Sequence, residues 1–163
     1  LLLADEMDIN LQQAREKVAM GALLHDVGLK FIPEKIVNKA RHLWSAAELE
    51  EYEQHPLKGA DMLRDLKEVP YEVLLIIAEH HENAQGTGYP KKIRDVKISP
   101  LSKIVCLADF FSELILIKRD GKQYTADEAI LYIEEVLGQP FNRPVFQALK
   151  NMINKKALAD RIE

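Results

Sequence analysis

The sequence predicts an all-α helical bundle. Three observations predict this fold: apolar residues recur at helical spacing, capping residues precede the apolar segments, and no useful length alternates as a strand does. The 163 residues suit one domain, and 47% apolar with 29% charged residues suits an ordinary soluble globule. We therefore expect one domain, residues 1–163, of about six to eight helices with a site between helix ends.

Local start and stop signals place these helices in chain order. The first full helix is expected to start at Asn10, with Gln13 as its capping-box partner, and to end near Gly28 as a C′ residue. Ser45 and Glu48 form a second capping box. The other helices are expected from Pro33 to Asn38, from a bend at His55-Pro56 to about Leu66, from Pro70 to His80, from Ser99-Pro100 to about Ile117, from Thr125 to Leu137, and from Pro144 onward.

Composition limits the function classes. The net charge of -4 argues against binding a nucleic-acid polymer, which needs basic surface, but leaves a small anionic ligand open. Cys106 is the single cysteine, so an internal disulfide is excluded and a reducing cytoplasm is expected. Because Cys106 lies in an apolar run, we expect it to be a buried structural thiol. No apolar run approaches the roughly 20 residues that span a bilayer. Because the chain starts abruptly on leucines, we expect an N-terminal truncation that removes the start of a helix.

Metal-capable side chains cluster at the predicted helix ends. His25 and Asp26 are adjacent, about 100° apart around the helix axis, and His80 and His81 form a second pair. Asp109 stands in an apolar helix, where a carboxylate is costly to bury unless it is paired or ligated. Histidine and carboxylate ligands suit Fe, Mn or Zn. Two such metals about 3.5–4 Å apart are a recurrent arrangement for phosphoester cleavage.

Less specific interpretations remain for each residue alone. A single histidine at a helix end is more often a surface residue than a ligand, and His42 fits a solvated loop. Three functions stay open at this point: a two-metal phosphodiesterase, a nucleotide- or partner-binding module without turnover, and a helical scaffold without metal.

Five motifs together resemble the HD-GYP family over about Leu1 to Leu149. In order, they are His25-Asp26-Val27-Gly28, His55-Pro56 with Gly59, His80-His81-Glu82, Gly86-Thr87-Gly88-Tyr89-Pro90 and Leu107-Ala108-Asp109. Members of this family are helical, bind two or three metals, often iron, and hydrolyse the bacterial second messenger cyclic di-GMP. The resemblance thus implies a hydrolase that acts on cyclic di-GMP or a related cyclic dinucleotide. It implies two divalent metal ions, iron first, with manganese or zinc as alternatives. It also implies a diguanylate cyclase (GGDEF) domain as a partner, and an upstream helix and regulatory domain that this sequence lacks.

The resemblance also implies residue roles. The implied metal ligands are His25, Asp26, His55, His80, His81 and Asp109. Asp26 would bridge the metals, and Asp26 and Lys30 are the implied catalytic residues. The implied substrate-binding residues are Gly88, Tyr89, Lys118 and Lys122, of which the two lysines are the weaker candidates. Glu82 would not bind metal itself but would orient one of the ligand histidines through a hydrogen bond.

Several positions depart from the family pattern. Leu29 stands where the family has its lysine, with Lys30 displaced by one, and Ser112 replaces the second acid of the last motif. Asn83 and Gln85 alter the motif before the glycines, and Asp120 adds an acid where the family receives the dinucleotide. We therefore expect a metal-loaded phosphodiesterase with reduced activity; the alternative is an impaired module that binds cyclic di-GMP or a partner.

Overall fold

The structure, a computed structural model, describes residues 1–9, 11–116 and 123–159, with side chains to residue 156. All regular structure in these ranges is helical, which confirms the predicted all-α class. The α-helices are α1 (Leu2–Glu6), α2 (Gln12–Leu24), α3 (Glu34–Val37), α4 (Ala46–Tyr52), α5 (His55–Leu63), α6 (Tyr71–Glu79), α7 (Pro100–Leu116), α8 (Ala126–Leu131) and α9 (Arg143–Ala159). Short 3₁₀ turns cover Val27–Phe31, Arg41–Leu43 and Asp95–Lys97, and a π-helical turn covers Tyr132–Val136.

Capping chemistry sets the helix starts largely as predicted. The Ser45 hydroxyl accepts a hydrogen bond from the Glu48 amide, and the Glu48 carboxylate accepts one from the Ser45 amide, at 3.2 and 2.7 Å. Thr125 and Glu128 form the same capping box at α8. Pro33 and Pro70 stand directly before α3 and α6, as expected from their fixed φ.

Some boundaries differ from the prediction. The helix expected from Pro56 starts at His55, because a proline at the second position loses no intrahelical hydrogen bond, and it ends at Leu63 rather than Leu66. The helix expected to reach Leu137 widens into the π-helical turn after Leu131. The last helix starts at Arg143. The expected start at Asn10 and end at Ile117 lie outside the described residues.

Gly28 has a different role from the predicted one. Helix α2 ends at Leu24, and Gly28 lies in the following 3₁₀ turn without a left-handed φ. A Cβ added at Gly28 would stand 1.9 Å from the carbonyl oxygen of His55. The glycine is therefore required by the close approach of this turn to α5, and not by a C′ conformation.

Helix α6 is the central element of the region that carries the predicted site. It packs against α2, α5 and α7. Its side chains Val73, Ile76 and Ile77 are fully buried. A second, larger core surrounds α7, α8 and α9, where Leu107, Leu114, Ile133 and Leu149 are buried. This packing fixes the C-terminal end of α6 between the end of α2 and the start of α5.

The structure can be compared with two further expectations from the sequence, one on the cysteine and one on membrane spans. Cys106 is buried, and burial raises the pKa of its thiol, so it is the predicted structural thiol. None of the helices in the described part of the chain combines the length and apolar character that a membrane span requires.

Candidate metal centre

The predicted ligand side chains converge from four helices. His25 and Asp26 follow the end of α2, His55 opens α5, and His80 and His81 follow α6. Asp109 comes from the middle of α7, with 19% of its side chain exposed. The structure therefore brings together all six residues that the sequence resemblance implied as ligands.

Three of the histidines are oriented by the same local hydrogen bond. The Nδ1 atoms of His25, His55 and His80 lie 2.7–2.9 Å from the carbonyl oxygens three residues earlier, at Ala22, Tyr52 and Ile77. Because a carbonyl only accepts, Nδ1–H donates in each case and Nε2 is the nitrogen that faces the centre. Each helix end thus turns Nε2 toward the centre, which is the orientation that a metal ligand needs once the ring is neutral.

Asp26 divides the centre into two sides. Its Oδ1 atom lies 3.2 Å from Nε2 of His55 and 3.6 Å from Nε2 of His80. Its Oδ2 atom lies 3.4 Å from Nε2 of His25, which in turn lies 3.5 Å from Oδ1 of Asp109. We call the group of Asp26, His55, His80 and His81 the buried side, and the group of Asp26, His25 and Asp109 the open side.

The buried side fits a transition-metal ion. One potential ligand atom from each of its four residues lies within 4.8 Å of the others. The Nε2 atoms of His55 and His80 stand 3.2 Å apart, and Nε2 of His81 is buried with no hydrogen-bond partner in the described residues. Buried acceptors that face one another without donors are unfavourable, and a divalent cation satisfies them together. The donor set of imidazoles and one carboxylate is that of Fe, Mn or Zn sites.

The two sides shift the pKa of histidine in opposite directions. Burial, with the nearby His80 and His55, lowers the pKa of His81 to about 2, and burial also lowers the pKa of His80. Burial acts in the same direction on His25, but hydrogen bonds to Asp109 and Asp26 outweigh it and raise the pKa to about 10. The pKa of Asp26 is lowered, because its histidine partners outweigh its burial. On the buried side, His80 and His81 are therefore neutral imidazoles, the form that binds metal.

Gly88 and Tyr89 lie against the buried side. The Tyr89 ring packs on the His81 ring at 4.5 Å between centroids, and the Tyr89 amide donates to the His81 carbonyl at 3.1 Å. Gly88 passes so close that a Cβ would stand 2.3 Å from the same carbonyl oxygen. Burial raises the pKa of Tyr89. These contacts make the loop a wall of the centre.

Other implied site residues lie elsewhere. The carboxylate of Glu82 accepts hydrogen bonds from the amides of Lys91 and Ile93, at 2.7 and 3.0 Å, so it fixes the following loop instead of orienting a histidine. Lys30 is exposed at the end of the 3₁₀ turn and does not line the cleft described next. Lys118 and Lys122, with Asp120, lie outside the described residues.

A cleft of about 390 Å³ opens beside the centre. His80, His81 and Asp109 line its floor, and the aromatic rings of Phe110 and Phe141 stand 5.2 Å apart in its wall. Arg41 also lines this cleft, and the sequence analysis did not identify it. A single arginine in a loop gives no signal of function, because nothing local shows which cavity it faces.

Comparison with known proteins places these motifs in a family. The model of the HD domain family matches residues 3–145. The chain is 32% identical to "Cyclic di-GMP phosphodiesterase PA4108" of Pseudomonas aeruginosa over 148 residues, 91% of this chain and 35% of the relative. It is 31% identical to "3'3'-cGAMP-specific phosphodiesterase 3" of Vibrio cholerae, over 82% of this chain and 28% of that relative.

A solved structure agrees with this assignment. Bd1817, an HDG"Y"P protein from Bdellovibrio bacteriovorus, superposes with a TM-score of 0.76 at 27% identity, over 93% of this chain and 48% of that chain. The chain spans about a third of the length of the first curated relatives, 35% and 39%. With the matching motifs, fold and candidate ligand cluster, the chain belongs to the HD domain family and is similar to phosphodiesterase domains of the HD-GYP kind.

Proposed function

We propose that this domain hydrolyses a cyclic dinucleotide, with cyclic di-GMP as the first substrate to test. The observation that carries the proposal is the division of the Asp26 carboxylate, one oxygen toward each side of the centre. Such a shared carboxylate suits two divalent ions, for which iron is the first choice and manganese or zinc are alternatives. The names of the relatives, cyclic di-GMP and 3'3'-cGAMP phosphodiesterases, support this substrate class.

Each group of the chain has a defined part in this proposal. His55, His80 and His81 would hold one ion, His25 and Asp109 the other, and Asp26 would bridge them. When bound, such ions polarise a phosphoryl oxygen and activate a water for attack on phosphorus. The loop at Gly88 and Tyr89 closes the buried side toward His81 and limits the access of bulk water.

The cleft suits a ligand with bases and phosphates. Its volume of about 390 Å³ lies in the range of small-molecule sites. Phe110 and Phe141 offer aromatic faces on which a base can stack, and base–aromatic stacking contributes about 1–3 kcal/mol. The floor at His80, His81 and Asp109 is where a phosphodiester would meet the ions.

We further propose that turnover is slow. Leu29 replaces the lysine that the family pattern has after the His-Asp pair, and Lys30 is exposed outside the cleft. A nearby cation that stabilises phosphoryl charge is therefore missing at this position. The same observation favours the second candidate function, a module that binds a cyclic dinucleotide and signals through a partner such as a diguanylate cyclase domain in the cytoplasm.

The test is a hydrolysis assay on the protein loaded with Fe²⁺ or Mn²⁺, with separation of linear dinucleotide and mononucleotide products. Loss of an outer-shell partner of a metal costs about 10–100-fold, so Asp26→Asn should reduce turnover by more than about 100-fold. Binding of cyclic di-GMP without any product would favour the signalling module, and the absence of both binding and product would overturn the proposed substrate class.

A further inference from the structure

We propose that Arg41 binds a phosphate group of the substrate at the rim of the cleft and thereby determines affinity for dinucleotides. This inference rests on the proposed function, because it takes an anionic phosphodiester as the ligand. Arg41 belongs to the 3₁₀ turn between α3 and α4, away from the helix ends that carry the metal ligands.

The charge of the cleft makes Arg41 distinctive. Among the described residues that line it, Arg41 is the only lysine or arginine. Two carboxylates in the same lining are Glu53 and Asp109. A dinucleotide carries two negative phosphates, and one can face the metals while the second meets this acidic wall. A guanidinium at the rim compensates the second phosphate.

Two aromatic rings hold the guanidinium in place. The Cζ atom of Arg41 lies 5.7 Å from the centroid of the Trp44 ring and 5.9 Å from that of Tyr52, within cation–π distance. The indole of Trp44 is itself fixed, since its Nε1–H donates to the carbonyls of Ile36 and Lys39 at 3.0 Å each. Arg41 is thus ordered before ligand binding, which reduces the entropy lost in a phosphate contact.

The guanidinium nevertheless keeps its donors for a ligand. Arg41 is exposed, and none of the residues in ranges 1–9, 11–116 and 123–156 forms an ion pair with it. A guanidinium that contacts rings through its face still presents N–H groups at its edge, in the fork that matches phosphate oxygens. By contrast, nearby Lys39 is paired with Glu48 at 2.8 Å.

Arg41 is connected to the metal centre through one side chain. The Tyr52 ring, which Arg41 contacts, packs on the His55 ring at 4.9 Å, and the Tyr52 carbonyl accepts the Nδ1–H of His55 at 2.9 Å. A ligand phosphate at Arg41 therefore lies on the same wall as the buried side.

The experiment compares two phosphodiesters on the metal-loaded protein and its Arg41→Ala and Arg41→Lys variants. Removing a hydrogen-bond partner of a charged group corresponds to about 10- to 100-fold, so Arg41→Ala should raise KM and Kd for cyclic di-GMP by that factor. The kcat should change far less. Bis(p-nitrophenyl) phosphate has one phosphate and no nucleoside, so it has no second phosphate for Arg41 to bind. The loss of kcat/KM in Arg41→Ala should therefore be about 10-fold smaller for this substrate than for cyclic di-GMP. Arg41→Lys should recover part of the affinity.

The matched control is Arg64→Ala, which removes an exposed arginine that pairs with Asp61 on α5 and does not line the cleft. It should leave cyclic di-GMP affinity unchanged. The proposal for Arg41 is overturned if Arg41→Ala leaves cyclic di-GMP affinity unchanged, as Arg64→Ala should. It is also overturned if Arg41→Ala lowers kcat equally for both phosphodiesters. Neither result affects the proposed phosphodiesterase function. If wild-type protein neither binds nor hydrolyses cyclic di-GMP, both proposals fall.

Discussion

The two sides of Asp26 use the same kinds of ligand in opposite environments. On the buried side, His55 and His80 are at most 1% exposed, and their Nε2 atoms face one another around one carboxylate oxygen. On the open side, His25 has a 22% exposed side chain and stands between two carboxylates. Burial lowers the pKa of His80 and His81 on the first side, whereas the two carboxylates raise the pKa of His25 on the second.

This difference predicts two unequal metal sites. A cation entering the buried side displaces no proton from His80 or His81 and meets three imidazoles in a dry environment. A cation entering the open side must displace the proton of His25 and competes with water. We therefore expect tight binding at the buried side and weaker, exchangeable binding at the open side.

The largest effects should come from removing one histidine of each side. His81→Gln deletes a candidate ligand whose Nε2 has no hydrogen-bond partner among the residues that the structure describes, so it should abolish tight metal binding with little change in the fold. His25→Gln should remove the exchangeable ion alone. Both should lower phosphodiesterase activity by more than about 100-fold, beyond the range for outer-shell residues.

Elemental analysis after stepwise dialysis against a chelator measures this asymmetry. Wild-type protein should lose one equivalent of metal early and retain another, and His25→Gln should lack the early fraction. If wild-type protein loses both equivalents of metal at the same chelator concentration, the two sides do not differ in metal affinity. The same conclusion would follow if His25→Gln and His81→Gln retain equal amounts of metal. Circular dichroism of both variants checks the helical fold.

The next largest effect concerns how the buried side is assembled. Gly28→Ala places a methyl group 1.9 Å from the His55 carbonyl oxygen, so the turn after Asp26 must move away from α5. Overpacking of this kind costs about 1–3 kcal/mol, and the displacement should also weaken metal binding because Asp26 and His55 separate. Urea unfolding and metal titration measure the two effects.

Gly138→Ala is the control for this prediction. Its Cβ would meet nothing within 4 Å, although its φ of +64° is unfavourable for alanine. That variant should lose about 1 kcal/mol of stability from backbone strain with metal affinity unchanged. Equal metal affinity in both variants would show that the approach of Gly28 to His55 does not position the ligands.

Local sequence signals predicted what depends on neighbours in the chain. Adjacent pairs such as His25-Asp26 indicated candidate ligands at helix ends, and the capping box at Ser45 indicated a helix start. Contacts between distant segments left no such signal. The packing of Gly28 on His55, the bonds of Glu82 to the following loop, and the position of Arg41 in the cleft arise from tertiary packing, which periodicity and motifs do not encode.

The smallest effect distinguishes the two sides by proton titration in metal-free protein. The pKa of His25 should lie near 10, and Asp109→Asn should lower it, because Asp109 contributes the largest favourable hydrogen bond. The pKa of His81 should lie near 2, so its ring stays neutral as long as the fold persists. The pKa of His25 in the folded protein exceeds its ordinary value of 6.5, so the protonated ring stabilises the metal-free fold. This stabilisation is fully present below pH 6.5, and it is lost as the pH rises toward 10. NMR of the imidazole resonances measures both values. A His25 that titrates near 6.5 in wild type would mean that Asp26 and Asp109 do not hold its proton, and metal uptake at the open side would then increase around pH 6.5 instead of around pH 10.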